Sequence, residues 1–339
     1  MAATNLIGLD IGSMSVRAVE TSRGKEGLGI LNYAQTPLPA GAVVSGVIRD
    51  AEAVTAALKE LWTTTKFRSR HVSLGITNPQ AVVREMSVAK LPKNQLKKSL
   101  PFQVRDMLPL AVERALLDFY PLEEPSGDTI RGLLIAAPKE AVLMAVQAVE
   151  RAGLHVERVD LATFALLRST AWLDSAVEAI VDIGAQASSV VVHADGEPLI
   201  VRTVPRGGQE LTEVLASRLG IGVTEAEAVK CWVGLRREEG PEVADILREA
   251  LRPLISEIRS SFTYLSSSER PTQVQRLSLA GGGSLLPGLA ETLANELHVP
   301  AVIADPMSRL RALDRGQHDN LERFRSSAAV SIGLTLGAA

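Results

Sequence analysis

Across its 339 residues the chain has one cysteine, Cys231. A disulfide framework and a cysteine-rich metal site are thereby excluded, and Cys231 itself reads as a buried or inert thiol. No run of Lys and Arg interleaved with aromatic residues is present, and the formal net charge is -3, so no nucleic-acid-binding face is expected. No uncharged apolar stretch is long enough to span a bilayer. Asp10 and Arg17 interrupt the early apolar residues, so the start does not read as a leader segment. A cytosolic chain without direct membrane insertion is expected, and any place at a membrane would be held for it by another protein. What remains is ordinary in composition, 46% hydrophobic and 22% charged. That length and composition suit about two domains with full cores.

Two stretches share one design. Leu6-Ile-Gly-Leu-Asp10 is a buried-strand pattern running into a turn at Gly12 and a second strand near 16–21. About half a chain later, Ala179-Ile-Val-Asp-Ile-Gly-Ala185 repeats the strand and its Asp-Ile-Gly ending. It is followed by the β-rich 188–193 and an Asp195-Gly196 hairpin signal before 198–204. Two such elements predict a duplicated fold. Between them helical periodicity covers 51–65, 93–107, 139–153 and 161–173, with strand-like runs at 71–76, 82–88 and 131–136. The block 72–150 reads as a separate small α+β module. Later come helices at 208–219, 224–238 and 242–268 and a strand at 275–280. Gly281-Gly-Gly-Ser-Leu-Leu-Pro-Gly288, another helix and an apolar last helix over 320–336 complete the pattern.

Asp10-Ile-Gly-Ser-Met-Ser-Val-Arg17 has the parts of a phosphate site. A turn at Gly12 can aim several backbone N–H groups at one anion, and Ser13 and Ser15 add hydroxyls. Asp10, at the strand end, can hold magnesium directly or through water. A plain hairpin whose Asp accepts backbone hydrogen bonds explains the same residues equally well. Asp182-Ile-Gly-Ala-Gln-Ala-Ser188 would approach the same phosphates from the other side, with the same alternative. Gly281-Gly-Gly-Ser284 stands between a strand and a helix, where glycines let backbone approach a flat ring and Ser284 can bond an adenine edge. A flexible strand-to-helix turn is its plain alternative. The Lys-Ser/Thr ending of a P-loop is missing, which argues against a Walker-type ATPase.

In this order, the three glycine elements resemble the superfamily of actin and the sugar kinases. Ala226-Glu-Ala-Val-Lys230 matches the Ala-Glu-x-x-Lys helix that faces ribose and adenine in actin-like bacterial proteins; a solvated helix face with a weak charge pair is the alternative. Leu108-Pro-Leu-Ala-Val-Glu-Arg-Ala-Leu-Leu-Asp-Phe-Tyr120 resembles a signature of the PilM family, the cytoplasmic actin-like proteins of type IV pilus assembly. Leu133-Leu-Ile-Ala-Ala-Pro-Lys-Glu-Ala141, Glu150-Arg-Ala-Gly-Leu-His-Val-Glu-Arg-Val-Asp160 and Pro205-Arg-Gly-Gly-Gln-Glu-Leu-Thr212 continue the resemblance over essentially the whole chain. The related FtsA cell-division family adds a membrane-binding amphipathic helix at its end. Ser331-Ile-Gly-Leu-Thr-Leu-Gly-Ala-Ala339 does not read as one, which favours PilM.

The resemblance implies an α/β, actin-like (ribonuclease H-like) duplicated fold with an inserted small α+β module. Its first subdomain would comprise 1–71, 151–178 and a C-terminal helix in 311–339. The inserted module would be 72–150 and the second domain 179–310, with a helical part over 221–275. It implies ATP or ADP with Mg2+, the metal at Asp10 and Asp182. The phosphates would lie against Gly12, Ser13, Met14, Ser15, Arg17, Gly184, Ala185 and Gln186. The nucleoside would lie against Glu227, Lys230, Gly281, Gly282, Gly283 and Ser284. It further implies a scaffold peripheral to the inner membrane, working with other pilus assembly proteins. Its partner would be a PilN-like single-span protein whose N-terminal peptide docks between the first subdomain and the module, near 102–120. Pro109, Phe119 and Tyr120 have structural alternatives. Nucleotide state would change what the partner meets.

Two departures stand out. Arg17 replaces the Lys of many relatives, keeping the charge but changing its shape. Ala162-Thr163 replaces a Glu-Pro pair near the place where filament-forming relatives carry a carboxylate for the attacking water. Asp160 is a candidate substitute, or a cap or core residue. Nucleotide binding is therefore expected with slow or absent hydrolysis, and no catalytic residue is assigned. An FtsA-like filament protein and a small-molecule kinase of the same superfamily remain alternative readings.

Overall fold

The computed structural model describes residues 6–24, 27–105, 107–122, 127–267, 271–308, 310 and 325–337, with the side chains of 23, 24, 27 and 93 outside the description. The first half opens on β1 (Ile7–Ile11), buried at every residue. β2 (Ser15–Gly24) and β3 (Gly27–Pro37) follow antiparallel in turn. A short hairpin of β4 (Val43–Val44) and β5 (Val47–Ile48) leads to α1 (Ala51–Thr64). Asp50 caps that helix, its carboxylate accepting from the Ala53 N–H at 2.9 Å. β6 (His71–Ile76) then lies parallel to β1.

Next in order come β7 (Val82–Ala89), α2 (Lys93–Gln103), β8 (Ala115–Pro121) and β9 (Thr129–Pro138). α3 (Lys139–Arg151), β10 (His155–Leu161) and α4 (Ala162–Thr170) complete the half. The main sheet has the order β10-β6-β1-β2-β3. Val72 and Leu74 are fully buried because β6 sits between β1 and β10, so it carries the continuous apolar run of an interior strand. α1 and α3 cover one face of this sheet, burying Val54, Leu58, Leu61, Val142 and Val149. Each such side chain contributes about 1.5–3 kcal/mol relative to exposure.

The block 72–150 is thus divided. β6 and α3 belong with the main sheet, and the separate unit is the three-stranded sheet β7-β9-β8 with α2 packed on it. Leu100, Val104 and Leu134 form the centre of that small core.

The second half runs β11 (Val177–Ile183), β12 (Ser188–Ala194), β13 (Glu197–Val204), α5 (Gly208–Leu219), α6 (Val223–Val233) and α7 (Pro241–Ser266). β14 (Arg276–Ala280), α8 (Leu289–Leu297) and β15 (Ala301–Ile303) follow. Its sheet order is β13-β12-β11-β14-β15. Each half therefore has three antiparallel strands followed outward by two parallel ones, and β11 occupies the place of β1. The duplication expected from the two Asp-Ile-Gly stretches is a duplication of topology.

A final helix, α9 (Ala329–Leu336), packs with α4 between the two sheets. The contact is close. A Cβ on Gly333 would lie 1.7 Å from the Ala165 carbonyl oxygen, and one on Gly8 of β1 would lie 1.9 Å from that of Ser331. The helix expected over 320–336 begins in the structure at Ala329, after a 3-10 turn over Ser326–Ala328; residues 320–324 lie outside the described residues. The helix expected over 93–107 ends at Gln103, with Pro101 in its last turn. That expected over 224–238 ends at Val233, because Gly234 takes φ +57° against Pro287.

Candidate functional site

Antiparallel register sets Asp10 directly opposite Arg17 at the end of β1. The cross-strand ion pair that results spans 3.2 Å, Arg17 Nη1 to Asp10 Oδ2. Arg17 also donates from Nε to Ser15 Oγ at 3.1 Å and from Nη1 to the Ser327 carbonyl at 2.9 Å. The Gly12 N–H closes the turn on the Ser15 carbonyl at 3.0 Å. In the second copy the Gly184 N–H closes on the Ala187 carbonyl at 3.1 Å, the same device. The copies differ in charge, since Asp182 faces Ser189 across its ladder where Asp10 faces arginine.

That difference governs the electrostatics. Burial pushes the Asp10 carboxyl upward, and Arg17 works against it. Asp182 is pushed up to about 6, first by burial and then by the charge of Asp10, with Arg17 offsetting only part. Two carboxylates from different halves thus share one poorly solvated site with one guanidinium. Such a site attracts a further cation or a proton.

The Asp182 turn is held from behind by the start of α5. Gly208 and Gln209 donate their N–H groups to the carbonyls of Gly184 and Ala185 at 2.9 and 2.8 Å. These are among the helix-start donors that no intrahelical carbonyl can satisfy. A Cβ on Gly207 would lie 2.4 Å from the Gly184 oxygen, so only glycine allows this approach. Gln186 donates to Gln209 Oε1 at 2.8 Å, and its own Oε1 accepts the Ser45 N–H from the β4–β5 hairpin at 3.1 Å. That hairpin turns through positive φ at both Ser45 and Gly46. Ser45 brings the first half onto the second half's turn, and sequence reasoning had not marked it.

Gly281 also has positive φ, and a Cβ there would lie 2.1 Å from Asp182 Oδ1. Its N–H donates to the Ser326 carbonyl at 3.0 Å. Residues 326 and 327 therefore clasp both sides of the site, Ser326 holding Gly281 and Ser327 holding Arg17. Ser284, expected at an adenine edge, is buried, and its hydroxyl donates to the Gly281 carbonyl at 2.7 Å. Gly282 alone of these glycines faces open space.

Lys230 is buried and reaches α5, donating to the Gly208 carbonyl at 3.0 Å and to Thr212 Oγ1 at 2.8 Å. It pairs with Glu227 at 2.7 Å. Burial works to raise the Glu227 carboxyl, but hydrogen bonds from Lys230 and Thr212 outweigh it and hold the group below its ordinary range. Between Lys230 and Gly283 lies a cavity of about 30 Å³ lined by Ile183, Leu211, Leu251 and Leu286. It has room for one or two waters. It is too small for a purine ring. A wider cavity of about 470 Å³ opens between Ser45, Gln186, Arg206 and Glu213.

Met14 stands exposed at the tip of the first turn, 48% accessible. Among the described residues the N–H groups of Ser13, Met14, Ala185 and Gln186 have no protein acceptor. Thr163 is buried, and Asp160 forms an ion pair with Arg168, which also holds the Gly333 carbonyl at 3.1 Å. Arg168 thus fastens α4 to α9, and Asp160 at the end of β10 holds Arg168 in place. Cys231 is exposed rather than buried. Partial burial, with the charge of Glu227 beside it, holds its thiol above the usual range and so unreactive.

The structure brings together the residues of both Asp-Ile-Gly turns and Gly281, while Glu227 and Lys230 stand behind the α5 start. It adds Ser45, Gly207, Gly208, Gln209, Thr212, Ser326 and Ser327. The Pro205–Thr212 stretch was visible as a motif without a role. Nothing local marks Ser45 or residues 326 and 327, because only tertiary packing puts them here.

Comparison with known proteins places this geometry. A solved PilM-PilN type IV pilus biogenesis complex superposes with a TM-score of 0.86 at 28% identity, covering 98% of each chain. An MreB of Spiroplasma citri bound to ADP superposes at 0.59 with 14% identity, covering 98% of this chain and 95% of that one, a likeness of fold alone. Cell division protein FtsA of Streptococcus pneumoniae is 22% identical over 341 residues, covering 86% of this chain and 73% of its own length. FtsA of Escherichia coli is 24% identical over 213 residues, 54% of this chain and 51% of its own length. The profile of the family described as type IV pilus assembly protein PilM matches residues 8–339. With that match over nearly its whole length and an actin-like duplicated fold, the chain belongs to the PilM family of type IV pilus assembly proteins.

Proposed function

We propose that the chain is a nucleotide-binding scaffold of the pilus assembly platform, with ATP or ADP and Mg2+ lying between the two Asp-Ile-Gly turns. One observation carries the reading: Asp10 and Asp182, from duplicated hairpins in different halves, meet in one site with a single guanidinium. The residues fit the group. Magnesium takes one or two carboxylates together with phosphate oxygens and water. Among the described residues no cluster of three or more metal-ligating side chains would hold an ion unaided. The ion would therefore come with the phosphates, against Asp10 and Asp182. The N–H groups of Ser13, Met14, Ala185 and Gln186 would face the phosphate oxygens, with the Ser13 and Ser15 hydroxyls beside them. Glu227, Lys230 and the 281–284 turn would flank the nucleoside once α6 had shifted.

Asp160 is engaged by Arg168, and Thr163 is a buried hydroxyl without a carboxylate's basicity, so this reading gives neither the role of a base. Binding without appreciable turnover suits a scaffold. The ligand would bias an opening and closing of the halves through its different affinity for each form.

The partner in this reading is a PilN-like single-span inner-membrane protein, as in the PilM-PilN complex to which this chain is similar. Its N-terminal cytoplasmic peptide would lie along edge strand β8, where Leu116 and Tyr120 are exposed. Leu143 and Met144 of α3 are exposed nearby, and an Arg114–Glu140 ion pair of 3.2 Å ties α3 to the start of β8. An edge strand offers main-chain hydrogen bonds and alternate apolar side chains to an extended peptide. No described helix is long and apolar enough to cross a membrane, so membrane placement would come from the partner.

Calorimetric titration of ATP·Mg into wild type and Asp10→Ala protein tests the site. Affinity should fall at least tenfold, a loss of about 1.4 kcal/mol. Equal affinity in both removes Asp10 from the site.

A further inference from the structure

Helix α2 of the inserted module has a face that the fold does not use. Leu96, Leu100 and Val104 point into the small core, four residues apart on one side. On the opposite side Lys98 and Phe102 stand four residues apart, and Arg105 lies just past the helix end. Phe102 is 82% exposed, the most exposed large hydrophobic side chain among the described residues. Lys98 shares its face, Lys97 lies on the helix flank, Arg105 follows the helix end and Lys90 precedes its start, and all four are exposed.

The charge of this stretch is one-sided. Residues 90–105 contain five cations and no carboxylate, in a chain whose net charge is -3. The cations are spaced along a helix and its flanks, so they do not form a contiguous basic run. Arg105 reaches a carboxylate, Glu113, only at 3.7 Å, with both side chains about seven-tenths exposed. Such a pair is worth little in water and leaves the guanidinium available.

From this we infer that α2 is a lipid-facing surface that lays Phe102 into the headgroup layer of an anionic bilayer, with Lys97, Lys98 and Arg105 over the headgroups. The inference extends the scaffold reading and rests on it for the nearness of a membrane. Shape decides for lipid over a protein partner. Phe102 projects as a single exposed apolar side chain, with Lys98 on the same helix face and Arg105 just past the helix end. A specific protein interface requires an extended, complementary apolar patch, commonly ~800 Å² per partner. A fluid bilayer requires no complementary shape, only an apolar wedge and charge of one sign. Position agrees with this. α2 packs on the same three-stranded sheet as β8, so a peptide tail held at β8 would keep α2 one layer away from its own membrane anchor.

Co-sedimentation of the full chain with vesicles of phosphatidylcholine, with and without phosphatidylglycerol, tests the proposal without any partner protein. Wild type should pellet with the anionic vesicles, weakly or not at all with the neutral ones, and be released by salt. Lys97→Glu combined with Lys98→Glu should lower vesicle affinity at least about tenfold. Phe102→Ser should weaken it several-fold while keeping the preference for anionic lipid. All three side chains are exposed, so melting temperatures should match wild type. Binding of a PilN-like peptide, measured in parallel, reports on the scaffold reading separately: the protein with Lys97→Glu and Lys98→Glu, both outside 102–120, should keep the peptide. Equal pelleting with both vesicle types would overturn the proposal, as would wild-type affinity in the charge-reversed protein. So would binding of soluble polyglutamate as tight as that of vesicles and indifferent to Phe102→Ser, which would assign the face to an acidic protein.

Discussion

Asp10 and Asp182 occupy equivalent places, yet one lies opposite Arg17 and the other opposite Ser189. The consequence appears in pH dependence. Asp182 titrates near 6 in the fold, above the ordinary carboxylate range, so the folded state holds its proton longer than the unfolded chain does. Its protonated form favours folding at low pH, and that contribution is lost as pH rises through about 6. Asp182→Asn should therefore stabilise the protein by about 1–3 kcal/mol at pH 7.5, with the gain vanishing near pH 4. Urea melts at the two pH values measure this. The same substitution should weaken ATP·Mg binding, so stability and affinity move in opposite directions. A melt unaffected at both pH values would place Asp182 in ordinary solvent.

At the scale of elements, α9 and α4 are joined by the absence of a side chain. A methyl group at residue 333 would collide with the Ala165 carbonyl. Gly333→Ala should cost about 3 kcal/mol by overpacking, seen as a lower urea midpoint in the unliganded protein. An unchanged midpoint would mean that α9 can slide on α4. Elements of this kind divide what was legible in the sequence from what was not. The Asp-Ile-Gly hairpins were legible because apolar run, turn glycine and second strand are all local. α5 and α7 were legible to within two residues by periodicity. β8 carries no clear strand pattern outside the family signature, since its Leu116, Asp118 and Tyr120 face outward from a small sheet and mix apolar with charged. The 72–150 division missed that β6 lies between β1 and β10, because an apolar hexapeptide does not announce which sheet it joins. The sequence suggests a ligand-facing Ser284, but its hydroxyl turns inward because Gly281, with positive φ, presents a carbonyl to it.

For the whole molecule, the relation of the two halves rests on α4 and α9, the contact of β7 with β13, residues 326 and 327, and the Ser45–Gln186 bond. The first three are packed or doubly held; the last is one hydrogen bond of 3.1 Å at a cavity mouth. Gln186→Ala should speed amide exchange at Ser45 while leaving global stability within about 1 kcal/mol of wild type. Unaltered exchange at Ser45 would show that the hairpin stays put without Gln186. The placement of α9 also bears on how such a protein is made. The strands of the second sheet are all contained in 177–303, whereas Gly8 of β1 and Gly75 of β6 wait for a helix that begins at Ala329. During synthesis the first strand to leave the ribosome therefore keeps one face bare while more than three hundred further residues are added. Contacts so distant in sequence form late. The oldest strand of the nascent chain is among the last to be covered, and during that wait it is the natural client of a chaperone.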